Sequence, residues 1–99
     1  MTKLKMRPSV KRFAEAMERV LRKNDHKEGW DELTNHHLLE RMQDELQECH
    51  DEMYHRNDCR DPDAPNLCNA VHEVIDLANF AMMFFDNNRD HYTKGERDD

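Results

Sequence analysis

Residues 69–87 read NAVHEVIDLANFAMMFFDN, a run in which apolar residues occupy nearly every side of a helix. One apolar face comprises Leu67, Val71, Val74, Ala78, Ala81 and Phe85. Most of the remaining surface comprises Leu77, Phe80, Met83 and Phe84. A helix that is apolar nearly all round is buried on several sides. We therefore expect a helix from Asn66 to about Asn87, with the first face covered by this chain and the second by another copy.

Upstream of this helix, apolar residues again recur at steps of three or four, and the whole chain contains only two glycines. This spacing predicts a helix over about residues 8–23, beginning at Pro8, and a second over 35–55, with Thr34 as its N-cap. The second helix carries the apolar stripe Leu38, Met42, Leu46, Cys49 and Met53. The predicted fold is all-α, with a hairpin of the second and third helices.

The predicted domain spans residues 1–88, and the polar residues 89–99 are expected to form a disordered tail. Residues 56–66 contain two of the three prolines and are predicted to form the turn of the hairpin.

The composition restricts the classes of partner and of site. The chain of 99 residues has a net charge of −7, which disfavours binding to the phosphates of nucleic acid. It shows neither a signal peptide nor an apolar run long enough to span a membrane, so we expect a cytoplasmic protein. The three cysteines and seven histidines match no zinc-site spacing and are read as reduced thiols and ordinary side chains.

Two pairs of acids, each three residues apart, lie on the two helices of the hairpin. Glu45 and Glu48 belong to the first, and Glu73 and Asp76 to the second. The hairpin can bring the pairs face to face, and their mutual repulsion would favour binding of a hard divalent ion, Mg²⁺ or Mn²⁺. The alternative is an ordinary solvated surface, since 37% of the residues are charged. The second pair favours the metal, because a carboxylate in so apolar a helix is costly unless it is paired or bound.

The spacing of these acids also resembles the motif of a known protein family. Glu45-x-x-Glu48, then 24 residues, then Glu73-x-x-Asp76 resembles the signature of the MazG-like, all-α nucleoside triphosphate pyrophosphohydrolases. The stretches LLERMQDELQECHDEM (38–53) and NAVHEVIDLANFAMMFFDN (69–87) are similar to the two metal-binding helices of that family, and KNDHKEGWDEL (23–33) to the loop before them. Many relatives have two consecutive glutamates where this chain has Asp44 and then Glu45.

The resemblance implies a homodimer, or a dimer of dimers, in which two hairpins form a four-helix bundle. It implies hydrolysis of a nucleoside triphosphate to a monophosphate and pyrophosphate. The expected Mg²⁺ ligands are Glu45, Glu48, Glu73 and Asp76. Either Glu48 or Glu52 is the expected general base.

Three further residues are candidates for binding the nucleotide. Lys27 could bind a phosphate and Trp30 could stack on a base, although Lys27 could equally be solvated and Trp30 could cap the core. Asn79, one turn after Asp76, could bind the base or sugar, since a buried amide needs a partner. The alternative function is a noncatalytic helical interaction module whose acidic faces are solvated.

Overall fold

The computed structural model describes residues 4–23, 29–54, 57–58, 61–65 and 67–94. Four α-helices lie in these ranges: α1 (Pro8–Lys23), α2 (Asn35–Tyr54), α3 (Leu67–Asn87) and α4 (Arg89–Lys94). A 3₁₀ helix, Trp30–Glu32, precedes α2, and two short strands, β1 (Asn57–Asp58) and β2 (Asp61–Pro65), pair antiparallel between α2 and α3. The prediction of an all-α chain is confirmed, apart from this short ribbon.

Helices α2 and α3 form the predicted antiparallel hairpin. At one end the side-chain amides of Asn35 and Asn88 bond reciprocally, at 3.2 and 2.8 Å. Towards the other end, the Cys49 thiol lies 3.5 Å from the carbonyl oxygen of Ala70. The apolar core between the helices is small and consists of Leu38, Ala70, Ile75 and Met83. Three polar residues, Glu45, Glu52 and Asn79, are buried as deeply as this core.

Helix α1 packs on α3 through its C-terminal half. The Asn79 amide donates a hydrogen bond of 3.3 Å to the carbonyl oxygen of Met17. None of the α1 residues is fully buried, and Val10 and Phe13 are exposed on its N-terminal half. The helix therefore covers only part of one side of the hairpin.

The connection into α2 is fixed by local geometry. Gly29 has φ of 98°, in the left-handed region that favours glycine, and precedes the 3₁₀ turn. Thr34 Oγ1 accepts a hydrogen bond of 3.0 Å from the backbone amide of His37. The predicted N-cap of α2 is thus confirmed.

The two apolar faces of α3 are the reverse of those predicted. Leu67, Val71, Val74, Ala81 and Phe85 are exposed and Ala78 is half-buried, whereas Met83 is buried and Leu77, Phe80 and Phe84 are half-buried. We call the exposed set, with Ala78, the outer stripe. The expectation that this face is covered by the chain was wrong because Ile75, Asn79 and Met83, four residues apart, form the seam that faces inward.

Helix α2 differs from the prediction in the same sense. Leu38 is buried as expected, but Leu46 is exposed and the buried positions that follow Leu38 are Glu45 and Glu52, seven and fourteen residues on. Two acids of this helix therefore lie in the core, beside Leu38. Both helices of the hairpin bury polar as well as apolar side chains and leave several large apolar ones exposed.

The segments around the hairpin also differ from the prediction. Residues 56–66, predicted as a turn, include the ribbon. Asn57 pairs with Pro65 in it, and both strands are edge strands, where proline is tolerated.

The prediction of a disordered tail from residue 89 is wrong for residues 89–94, which form α4. The rings of Phe85 and Tyr92 lie edge to face at 5.5 Å and tie α4 to α3. No helix in these described ranges is both long and apolar enough to cross a membrane.

Candidate metal centre

Three of the four predicted metal ligands come together between α2 and α3. Glu45 on α2 and Glu73 and Asp76 on α3 each offer a carboxylate oxygen, and these three oxygens all lie within 4.8 Å of one another. The three-residue step from Glu73 to Asp76 places both side chains on one side of α3, towards Glu45. We call these residues the carboxylate triad.

Glu48, the fourth predicted ligand, lies at the edge of the triad. It is exposed, one turn after Glu45 on α2, and its carboxyl group is hydrogen-bonded to that of Glu73. Its negative charge raises the pKa of both Glu45 and Glu73. Glu48 therefore interacts with two of the three residues of the triad.

Ionisation of Glu45 and Glu73 is unfavourable in these surroundings. Burial, together with hydrogen bonds to Glu45 and Glu48 and the negative charges of those residues, raises the pKa of Glu73 to about 8. Burial also raises the pKa of Glu45, in part offset by the hydrogen bond with Glu73. Both shifts favour the protonated form of these carboxyl groups. A cation bound there would displace such a proton.

Among the described residues, one atom of the triad has no hydrogen-bond partner. Glu45 is only 5% exposed, and no described residue donates to its Oε2, while its Oε1 accepts from the Arg41 guanidinium at 3.0 Å. A buried carboxylate oxygen without a donor is costly. Within the part of the chain that the structure describes, the ligand set consists of carboxylate oxygens, with no histidine or cysteine, and this suits Mg²⁺ or Mn²⁺. The residues present thus fit the predicted metal.

Glu52, the other candidate base, lies apart from the triad. It is buried one turn beyond Glu48, and its Oε2 accepts a hydrogen bond of 3.4 Å from the Asn69 amide. The amide comes from the first turn of α3 rather than from the acid-bearing turns. The sequence named Glu48 and Glu52 as alternative bases but could not separate their environments.

The candidate nucleotide-binding residues are dispersed. Asn79 is buried as expected, and its amide nitrogen donates to the carbonyl oxygen of Met17, while its Oδ1 has no hydrogen-bond partner in the described ranges. The Trp30 indole nitrogen donates to Asp86 Oδ2 at 3.1 Å, and the Trp30 carbonyl oxygen accepts from Asn87 at 2.8 Å. Asp86 lies ten residues after Asp76, about 15 Å along α3. Lys27 lies outside the described residues.

Sequence reasoning missed Arg41. Its guanidinium bonds to Glu45 at 3.0 Å and to Asp44 at 3.2 Å, and its Cζ lies 5.1 Å from the centroid of the Phe80 ring on α3. The four-residue step from Arg41 to Glu45 on one helix is a signal that could have found the first contact. The contact with Phe80 depends on the hairpin register and carried no local signal.

Comparison of the chain with protein-family models, with curated proteins and with solved structures gives no match in any of the three.

Proposed function

We propose that this chain is a Mg²⁺-dependent nucleoside triphosphate pyrophosphohydrolase of the MazG-like kind, which releases a nucleoside monophosphate and pyrophosphate. The observation that carries the proposal is the carboxylate triad, in which two helices bring three acids together and a buried oxygen of Glu45 has no hydrogen-bond partner among the described residues. A solvated acidic surface would instead hold its carboxylates apart in water. The resemblance in sequence supports the same reaction.

The residues of the triad would bind the metal, with Glu48 at its edge. Bound Mg²⁺ would neutralise phosphate charge and lower the pKa of the attacking water. The oxygen of that water bonds to the α-phosphorus as the bond from the α-phosphorus to the bridging oxygen breaks, and pyrophosphate leaves with the bridging oxygen. Glu48 accepts the proton of the water in preference to Glu52, because Glu48 contacts Glu73 whereas Glu52 is bound by Asn69.

The test is product analysis with a panel of nucleoside triphosphates and Mg²⁺, with chelator as the blank. We expect monophosphate and pyrophosphate in equal amounts and no diphosphate, since attack is at the α-phosphorus. Glu73→Gln, which keeps the size of the side chain and removes an ionisable metal ligand, should lose this turnover. Diphosphate with orthophosphate, or turnover that survives the chelator, would contradict the proposed reaction.

We further propose that two copies pack through the outer stripe into a four-helix bundle. The stripe steps by four and three residues in alternation from Leu67 to Phe85, which is the spacing of a helix seam that packs on another helix. Burying one large apolar side chain contributes about 1.5 to 3 kcal/mol, and a two-fold interface counts each residue twice. The small core of the single chain supports the same conclusion.

Sedimentation and melting at several protein concentrations test the dimer. The melting temperature of the wild type should rise with concentration, because dissociation and unfolding are coupled. Val74→Asp should abolish this rise, whereas Leu33→Asp should retain it, since Val74 and Leu33 have similar exposures of 39% and 37% but only Val74 lies on the stripe. A monomer at micromolar concentration would contradict the bundle.

A noncatalytic interaction module is the second candidate function, and the exposed outer stripe is the observation that favours it. In that case the stripe would bind a different protein and the triad would have no turnover. Metal-dependent release of pyrophosphate separates the two, because a docking module would give none.

A further inference from the structure

Arg41 lies at the rim of the carboxylate triad, between buried acids and solvent. Its side chain is 37% exposed, whereas that of its partner Glu45 is 6% exposed. The two guanidinium nitrogens are divided between two acids, with Nη2 on Glu45 and Nη1 on Asp44. The group therefore touches the triad on one side and can reach solvent on the other.

The guanidinium is also held across the hairpin. Its Cζ lies 5.1 Å from the centre of the Phe80 ring, and Phe80 is one turn after Asp76 on α3. The flat face of a guanidinium stacks on an aromatic ring and leaves its N–H donors free to point sideways. Arg41 can thus change its hydrogen-bond partners while it remains against Phe80.

A divalent cation and Arg41 compete for the same carboxylate. The guanidinium binds Glu45 Oε1, while Oε2 has no hydrogen-bond partner among the residues that the structure describes. The positive charge of Arg41 lowers the pKa of Glu45. Binding of a doubly charged ion at the triad places a second cation close to Arg41, and the repulsion weakens the contact of Arg41 with Glu45. A guanidinium released at this rim matches the oxygen geometry of a phosphate.

We propose that Arg41 is a counter-ion switch: it neutralises Glu45 in the metal-free protein and moves to a phosphate oxygen of the triphosphate when metal and substrate bind. This inference rests on the proposed function. Arg41 is therefore both a competitor of the metal and a binding residue for the substrate.

The two roles predict opposite effects of one substitution. Arg41→Gln should tighten Mn²⁺ binding in the absence of nucleotide, measured by calorimetry, because the competing charge is gone. The same variant should raise KM for the triphosphate by roughly 10- to 100-fold, the size expected for loss of a charged hydrogen bond, with a smaller change in kcat. A merely structural role would weaken both kinds of binding together.

Two further variants serve as controls. Arg41→Lys keeps the charge without the planar fork, so Mn²⁺ affinity should stay near that of the wild type while KM rises. Arg22→Gln breaks an exposed pair with Glu18 on α1, at the same four-residue spacing, and should alter neither quantity. If the glutamine variant fails to fold by circular dichroism, the lysine variant still tests the substrate contact.

The outcomes separate the two proposals. Absence of Mn²⁺ binding to the wild type would overturn the metal site and the proposed function with it. Binding to the wild type that is no tighter in Arg41→Gln would overturn the switch and leave the metal site standing. Tighter Mn²⁺ binding with KM unchanged in both Arg41 variants would overturn the contact with phosphate.

Discussion

Asp86 lies about 15 Å along α3 from Asp76, and the two carboxylates have contrasting surroundings. At the C-terminal end, Asp86 accepts from the Trp30 indole on one oxygen and from Arg89 on the other, at 3.1 and 3.3 Å. At the acid-bearing turns, Glu73 and Asp76 instead face a third carboxylate, that of Glu45. The carboxylate of Asp86 thus connects segments of the chain, whereas the carboxylates of the triad concentrate negative charge.

In a small helical protein this contrast separates acids that have a structural contact from acids that are candidates for a functional site. A carboxylate with a donor on each oxygen is accounted for by its structural contact. Carboxylates that crowd together, with a pKa raised to about 8 at Glu73, are held at a cost that the fold alone does not explain.

The largest expected effect is on turnover. Asp76→Asn should lower pyrophosphate release by roughly 100-fold or more, about 2.7 kcal/mol of transition-state stabilisation, because one anionic metal ligand is lost. Its metal-free form should be at least as stable as the wild type, since repulsion in the triad is relieved. Glu48→Gln should lose turnover in the same way.

Asp86→Asn is the matched control, an identical change on the same helix. It should keep turnover near that of the wild type and lose about 1 kcal/mol of unfolding free energy, because a charged acceptor of two hydrogen bonds is weakened. Pyrophosphate assays and denaturant melts measure both quantities. Near wild-type turnover in Asp76→Asn would remove that residue from the metal site.

The next effect is on the pH dependence of stability without metal. The pKa of Glu73 rises from 4.5 to about 8 in the folded chain, so the folded state holds a proton that the unfolded state has lost between these values. The resulting stabilisation is fully present below about pH 4.5 and is lost as the pH rises towards 8. The melting temperature measured with chelator should therefore fall across this range.

Glu73→Gln should flatten that fall, because the glutamine cannot ionise. Added Mg²⁺ should raise the melting temperature of the wild type most at the alkaline end, where the acids are ionised and bind metal best. An equally steep fall in Glu73→Gln would show that another group is responsible.

The sequence predicted the features that depend on interactions between residues close together in the chain. Helices α1 to α3 and the Thr34 cap depend on residues within a few positions of each other, and these predictions are confirmed. The grouping of Glu45 with Glu73 and Asp76 also followed, because a hairpin of two such helices has few ways to arrange acids on its inner side.

Long-range choices were beyond the sequence. The apolar periodicity of α3 reveals two stripes but not which one faces α2, because that depends on the position of the partner helix. Val74 was therefore predicted to be buried within the chain and Met83 to lie on the other face. In the structure Met83 is buried and Val74 is exposed. The bond between Trp30 and Asp86 spans 56 residues and has no local pattern. Helix α4 was missed because its link to α3 is a ring contact made by Tyr92 in an otherwise polar segment.

The smallest expected effect concerns the bond between Trp30 and Asp86. Trp30→Phe keeps an aromatic ring and removes the N–H donor, so the free energy of unfolding should fall by about 1 kcal/mol with KM unchanged. Asp86→Ala removes the acceptor, and the double variant should lose less than the sum of the two single losses, because both remove one bond. Trp30→Phe combined with Glu18→Gln, on the exposed side of α1, should instead be additive. Additivity in the first pair would show that the bond between Trp30 and Asp86 does not contribute to stability. A raised KM at unchanged stability in Trp30→Phe would instead assign the indole to the nucleotide, and the contrast between the two regions of α3 would no longer hold.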